Sequence, residues 1–355
     1  MPAAIGYRNF FEGTLLAGAQ VATDSSAFGT PDASYPSSNV FDGRRSTYWR
    51  RQTCAPRSTS PTSCAQLDLY ALLRDYSGLL TGSGVIKPLP VALLHLDNVS
   101  VNLQSAHPDG QRVNFGIRVT ASHTAYTSNT LYDSGDMTFT ADQFGAQPSV
   151  VVPIGFPTTL TAGQRLERQL AGGYVASGGS SNLNLYIRVK IWATAAMPTY
   201  SPTFSVHVGS VRLASALCFD VSESGFSPGV VDNTNVIRTH GQTAVANAKT
   251  PARRVSGTMV GLKDDQVMGQ HSTIVKFNRE AGLSQRVFFT PSVFSDETSP
   301  PIWSSNKSMA LHALSLLEQP LSPSTVARTD SGDSSDGSKN GFVWVCPFSL
   351  LETVD

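Results

Sequence analysis

The run Leu183-Asn184-Leu185-Tyr186-Ile187-Arg188-Val189-Lys190-Ile191 alternates apolar and polar residues over nine positions without a break. Successive side chains of an extended chain point to opposite faces, so such a run is satisfied as a strand with one dry and one wet face. The pattern recurs. Val99, Val101 and Leu103 alternate with Ser100, Asn102 and Gln104; Phe115, Ile117 and Val119 with Gly116, Arg118 and Thr120; Phe204, Val206 and Val208 with Ser205, His207 and Gly209. Half-buried antiparallel sheets need strands of this kind. Their spacing and the turn-rich segments between them predict an all-β sandwich in the N-terminal part, not alternating strand–helix units.

The chain has 355 residues, room for two domains of about 150 residues each. Charged residues make up 15%, well below the roughly 25% usual for globular domains, and Ser, Thr, Gly and Asn take their place. The 26 basic and 26 acidic side chains cancel, leaving no net field to steer nucleic acid or an anionic membrane. Arg44-Arg45, Arg50-Arg51 and Arg253-Arg254 are too scattered to form a phosphate-tracking groove. The opening MPAAIGYRNFFEG lacks a basic stretch followed by an apolar core, so no secretory signal is expected there. No run of about 18 apolar residues predicts a membrane span. Synthesis and folding in a cytoplasm is the expectation. Cysteines stand at 54, 64, 218 and 346. Free thiols are expected in a reducing compartment, although Cys54 and Cys64 bracket a Pro/Ser/Thr loop and close a small ring if the fold brings them together. Neither spacing suits zinc.

The stretch SNVFDGRRSTYWRR, residues 38–51, combines an Asp-Gly turn at Asp42-Gly43 with Thr47 and the bulky Trp49. Gly tolerates positive φ and Asp bonds its own backbone, so the pair favours a turn; Trp49 is expected beneath it as a core anchor. Leu67 and Leu69 then share one face of a short strand, Ala65–Leu69. Together these segments resemble the discoidin family, the coagulation-factor C-type domain. Asn39, Asp42, Gly43, Thr47 and Trp49 match its Asn-x-x-Asp-Gly-x-x-x-Thr-x-Trp turn, and Gln66, Asp68 and Leu69 match a version of its Gln-x-x-Asp-Leu strand one residue shorter. The resemblance covers about the first 215 residues. It implies a jelly-roll β-sandwich of a kind that often binds carbohydrate or lipid, and for some members a calcium ion near the Asp-Gly turn, where Asp42 is the candidate. The disulfide that often ties the family's termini has no counterpart here, since no cysteine lies near residue 10. Fold alone does not give function.

Residues 1–13 form an entry segment that Tyr7, Phe10 and Phe11 pin to this domain or to a neighbouring subunit. A weak strand at 17–23 and polar loops at 25–38 and 52–63 follow, the loops projecting from one end of the sandwich. An insert at 157–181 carries a short helix around 164–170. The sandwich, 14–216, closes with Val208–Leu213, and 223–235 has the Gly/Ser/Asn/Pro composition of a linker. The remainder, 217–355, reads as a smaller α+β domain. It has a strand at 254–262, a helix opening at Asp264-Asp265 with Val267, His271, Ile274 and Val275 on its apolar face, and Gly282 as its stop. A strand at 286–290, a strand or short helix at 309–317, a flexible loop at 328–340 and a strand at 341–346 complete it.

The order of these pieces resembles tail-associated virion proteins of long-tailed bacteriophages. The resemblance is carried by the closing Val208-Gly209-Ser210-Val211-Arg212-Leu213, the linker, a strand–helix–strand unit ending in Arg286-Val287-Phe288-Phe289, and a final Ser349-Leu350-Leu351-Glu352. The resemblance implies a non-enzymatic structural subunit of a tail tip or baseplate, assembled in the host cytoplasm and carried on the virion. Other tail proteins and further copies of itself are its implied partners, with neither nucleic-acid binding nor membrane insertion. The alternative is a carbohydrate-binding adhesin that recognises a cell-surface glycan.

Candidate sites are few. Gly225-Phe226-Ser227-Pro228-Gly229 has the letters of a nucleophile elbow, but Pro228 stands where an oxyanion-hole N–H is needed. Asp330, Asp333 and Asp336 have neither the alternate spacing nor the closing Glu of a calcium loop. The seven histidines form no metal-binding pair. Tyr48, Arg50 and Arg51 are the candidate ligand-binding residues, because an aromatic face and Arg forks suit pyranose rings and their hydroxyls. No cofactor is expected beyond the calcium ion named above.

Overall fold

A computed structural model of the chain describes residues 2–9, 21–24, 29–42, 47–54, 64–73, 85–86, 92–104, 113–122, 130–139, 149–154, 174–175, 183–194, 203–232, 235–238, 244–247, 251–262, 264–268, 273–291, 314–329 and 341–353. The fold is mainly β. In chain order the strands are β1 (Pro2–Asn9), β2 (Val21–Asp24), β3 (Thr30–Pro31), β4 (Trp49–Cys54), β5 (Ala65–Leu73), β6 (Val85–Ile86), β7 (Ala92–Asp97) and β8 (Ser100–Gln104). Then come β9 (Phe115–Ser122), β10 (Thr130–Asp133), β11 (Met137–Phe139), β12 (Val150–Ile154), β13 (Tyr174–Val175), β14 (Leu183–Ala193), β15 (Thr203–Val208) and β16 (Ser210–Val231). The last are β17 (Asn235–Arg238), β18 (Ala244–Asn247), β19 (Ala252–Leu262), β20 (Phe288–Thr290), β21 (Ser315–Leu317), β22 (Ser324–Thr329) and β23 (Gly341–Glu352). Chain contacts divide into two units, one drawn from Asn9–Ala216 and the other from Met1–Arg8, Leu217–Pro291 and Ala313–Asp355.

In the larger unit β14 is the central strand of the sheet β10-β9-β14-β5-β2, with β11 also on β9. Its alternation sets the register on both sides. Val189 lies opposite Leu67 of β5 and Val119 of β9, and Ile187 lies opposite Leu69. These apolar side chains are fully buried, each worth roughly 1.5–3 kcal/mol relative to exposure. A second sheet has the order β3-β4-β15-β8. Trp49, Phe204, Val206, Val208 and Val101 from it join Leu67, Leu69, Ile187 and Val189 in one contiguous buried cluster. Leu94 and Leu96 of β7, Val150 and Val152 of β12 and Val211 and Leu213 of β16 belong to the same cluster. Trp49 is 1% exposed, the core anchor its bulk predicts. Gly116 is a packing requirement of this core, because a Cβ there would lie 2.3 Å from the Trp192 ring.

In the smaller unit the pairings run in a closed circuit. β16 pairs with β19, β19 with β23 and β23 with β21. Ser315 of β21 exchanges two 2.8 Å backbone bonds with Val287, next to β20. β20 then pairs with β1, Ala4 opposite Thr290, and β1 pairs with β16. Phe219 and Phe348 stack edge-on at 5.5 Å, Phe226 and Phe289 at 5.3 Å, and Phe289 and Phe348 lie 5.6 Å apart. Asn278 clamps the backbone of Leu321, donating at 2.8 Å and accepting at 3.0 Å.

Several expectations are corrected. The entry segment is a strand with Ala3, Ala4 and Ile5 buried, and Tyr7 packs edge-on against Phe277 of this chain at 4.8 Å; Phe10 and Phe11 lie outside the described residues. The segment 223–231 is the end of β16, not a linker. Gly225 at φ +73° coincides with the register shift between Val221 and Phe226, so the strand absorbs its irregular composition as a bulge. The helix expected from Asp264 is two short ones, Asp264–Val267 and Thr273–Glu280. The second buries Ile274, an expected face residue, with Phe277 and the following Ala281, and Gly282, at φ +52°, ends it as expected; Val267 belongs to the first helix, and His271 lies outside the described residues. Among the described residues these two are the chain's α-helices. Arg328 and Thr329 belong to β22, opposite Phe342 and Gly341; 330–340 lie outside the described residues, as does the expected helix at 164–170. Among the described residues no helix is long and apolar enough to cross a membrane.

Candidate functional site

The turn before β4 is built by its own side chains. Residues Ser37–Phe41 form one 3-10 turn capped by Asp42. Asn39 Nδ2 donates to the Tyr48 carbonyl at 3.1 Å, and the Thr47 hydroxyl donates to Asp42 Oδ2. The motif residues Asn39, Asp42 and Thr47 therefore hold the segment that carries Tyr48 and Trp49. Asp42 is occupied as a turn acceptor, and among the described residues no three His, Cys, Asp or Glu side chains converge as metal ligands would.

β4 then sorts its residues by period two. Trp49 and Arg51 turn inward; Arg50 and Gln52 turn out. Arg51 is 0% exposed and donates Nη2 to the Gly29 carbonyl at 3.0 Å. Burial holds its guanidinium below the usual arginine range. Of the three candidates, Arg51 is thus a core residue, while Tyr48 and Arg50 lie together on the other side.

There Tyr48 stacks on Tyr35, centroids 4.4 Å apart and planes 9° from parallel, and on His207 of β15 at 4.8 Å and 14°. The Arg50 guanidinium lies 4.5 Å from the Tyr35 centroid, a cation–π contact. Arg50 also bonds Asp32, which accepts from Gln52 Nε2 at 2.6 Å and from the Ser34 N–H at 3.0 Å. Burial works to raise the Asp32 carboxyl, but the bonds from Arg50, Ser34 and Gln52 outweigh it and the net shift is downward. Burial, then the Tyr35 hydrogen bond, raises the Tyr48 phenol. The polar face continues across the sheet: His207 lies opposite Arg50 and Ser100, and Ser205 opposite Asn102. Asn102 Nδ2 donates to Ser100 Oγ at 3.3 Å, and Gln104 accepts from the Thr53 N–H at 2.8 Å. Stacked rings beside a charged pair and a row of hydroxyls and amides suit a hydroxyl-rich ligand. Most of the ring surface is already spent within the stack.

Sequence reading singled out Tyr48 and Arg50 as candidates but not Asp32, Tyr35 and His207, which the structure places beside them. The outward position of His207 on its strand is legible from alternation, but its place beside Tyr48 depends on the pairing of β15 with β4. Of the loops expected to project here, 29–38 is described and flanks this face, whereas 52–54 is the end of β4 and not loop; 25–28 and 55–63 lie outside the described residues.

The wet face of the other sheet is charged in pairs. Arg188 is bidentate on Asp68, which also accepts from Gln66 at 3.0 Å. Arg118 is bidentate on Asp133 at 2.9 and 2.5 Å, with Asp136 at 3.5 Å. Burial opposes ionisation of Asp133, yet the Arg118 and Gly135 hydrogen bonds bring its carboxyl below the usual range. In the smaller unit Glu352 accepts both the side chain and the backbone N–H of Arg253, and Arg254 pairs with Glu318. The Gly225–Gly229 segment lies in β16, with Pro228 opposite Val255, which is not the strand–turn–helix that an elbow requires.

No protein-family model matches the sequence, and no curated protein is significantly similar to it.

Proposed function

We propose that the chain is a non-enzymatic structural protein of a bacteriophage tail tip or baseplate, assembled in the host cytoplasm. Its larger unit would serve as a discoidin-like jelly-roll module, and its partners would be other tail proteins and further copies of itself. The observation that carries the reading is the way charge is used. Arg188–Asp68, Arg118–Asp133, Arg253–Glu352 and Arg254–Glu318 tie one strand or segment to another. Acids and bases spent as cross-strand ties suit a scaffold that must hold its strands in fixed register. Denaturing-gel separation of purified virions, with mass spectrometry of the bands, should find the chain in the particle. Its absence there ends this reading.

A second reading, a glycan-binding adhesin, is favoured by the Tyr35–Tyr48–His207 stack with Arg50 at its edge. Weak single sites become effective when symmetric copies present them together. The test is a glycan array probed with the full chain. Retention on a hydroxyl-rich glycan that Tyr48→Ala abolishes supports the adhesin; no retention at millimolar sugar leaves the scaffold alone.

A further inference from the structure

We propose that the bulge at Gln52–Thr53 is the ligand-contacting edge of the Tyr48 face, and that the glycan it takes is an uncharged one. This rests on the glycan-binding reading above and assigns that ligand its class. In the pairing of β4 with β15, Cys54 lies opposite Phe204 and Arg51 opposite Val206, so Gln52 and Thr53 together face the single residue Ser205. Strict alternation would turn Thr53 inward and Cys54 outward. The extra residue reverses both, leaving Thr53 exposed and Cys54 buried. Two consecutive side chains thereby reach the wet face. Thr53 takes φ +53° to do so, a left-handed backbone that suits glycine and strains a β-branched residue.

The neighbouring strands are fitted to this bulge. Gln104 of β8 reaches past β15 to accept the Thr53 N–H at 2.8 Å. Gly29 lets the chain before β3 come close, since a Cβ there would lie 2.5 Å from the Gln52 carbonyl oxygen. The hydroxyls of Thr30 and Thr53, both exposed residues, share a 2.7 Å hydrogen bond. Glycine would hold the same turn without strain, so what threonine adds at this position is its hydroxyl. Charge along the edge is already matched. Arg50 pairs with Asp32, whose carboxylate also accepts from Gln52 and from the Ser34 N–H. Hydroxyls and amides, which both donate and accept, suit the hydroxyls of a neutral hexose or N-acetylhexosamine. A sialic or uronic acid would instead bring its carboxylate to an Arg50 that Asp32 already engages, and its desolvation would go uncompensated.

The experiment compares the full-length wild type with Thr53→Gly, in urea unfolding and on an array of neutral, sialylated and uronate glycans. Thr53→Gly should unfold at a urea midpoint at or above that of wild type, because the backbone strain is released. Its retention on the neutral glycans should nevertheless fall about tenfold, the scale of one lost hydrogen bond. A residue that serves the fold alone would not separate the two readouts in this way. A lower midpoint assigns the strained threonine to folding and overturns the proposal, and so does wild-type preference for the acidic glycans. Unchanged retention in Thr53→Gly removes this inference while the adhesin reading stands; a wild type that retains no glycan removes both.

Discussion

Arg188 on β14 and Asp68 on β5 face each other across the strand pair, Nε to Oδ1 at 2.7 Å and Nη2 to Oδ2 at 2.9 Å. Both are largely shielded, and Gln66 fills a further acceptor site on the carboxylate. Removing one partner leaves the other desolvated and alone. Asp68→Ala should therefore cost about 1–3 kcal/mol, more than a surface ion pair returns. Arg188→Lys should recover only part of the loss, because an ammonium cannot make the two-pronged contact. Urea midpoints of the three proteins decide it; a midpoint for Asp68→Ala equal to wild type would show the pair to be ornamental.

Asp32 makes the Tyr35–Tyr48 corner sensitive to acid. Its folded carboxyl titrates below the ordinary value of 3.8, so the stability it adds is present above that value and disappears as pH falls through the lower folded one. Asp32→Asn should flatten the acid limb of the stability profile while changing it little in shape near neutrality. Urea midpoints between pH 7 and pH 2 give the comparison. Identical acid limbs would refute it.

Core volume is tightly set around Trp49 and Trp192. Trp49→Ala should cost roughly 3–5 kcal/mol by cavity formation. Gly116→Ala should cost about 1–3 kcal/mol by overpacking against the Trp192 indole. Near-ultraviolet circular dichroism separates the two. The first substitution removes an indole signal, whereas the second shifts one without deleting it.

The Cys54 thiol is pushed up to about 11, chiefly by burial. At pH 7.5 its thiolate fraction is then minute, and reaction with a chromogenic disulfide in the folded chain should be slow. The rate should rise about tenfold per pH unit, since the thiolate is the nucleophile. Stopped-flow thiol titration of the full chain, with Cys54→Ser as the subtraction, measures it. A fast, pH-independent Cys54 phase would contradict the burial.

The strands with unbroken alternation were legible: β14, β9, β8 and β15 lie where Leu183–Ile191, Phe115–Val119, Val99–Leu103 and Phe204–Val208 place them. Local pattern reports which face a residue takes, so Trp49 as core and His207 as outward could both be read. What it does not report is pairing. Asp68 and Arg188 are 120 residues apart, and Tyr48 meets His207 only because β15 lies beside β4. Composition misled where a strand tolerates poor strand formers. Gly225 and Pro228 read as a linker, yet β16 carries them, with Ser227, Pro228 and Gly229 exposed where their small or rigid side chains do no harm. Arg50 and Arg51 are alike to composition and opposite in fate, because one register step separates surface from core.

The circuit of the smaller unit joins β1 to β20 and β23 to β19. During synthesis the segment containing Ala3, Ala4 and Ile5 has no partner until β16 emerges about 200 residues later, and its second partner, β20, follows only near residue 288. For most of translation it is an orphan strand with an apolar face, open to mispairing with another nascent chain. A closure of such long reach is also slow. The larger unit should therefore reach its native state while the smaller is still waiting for its own end.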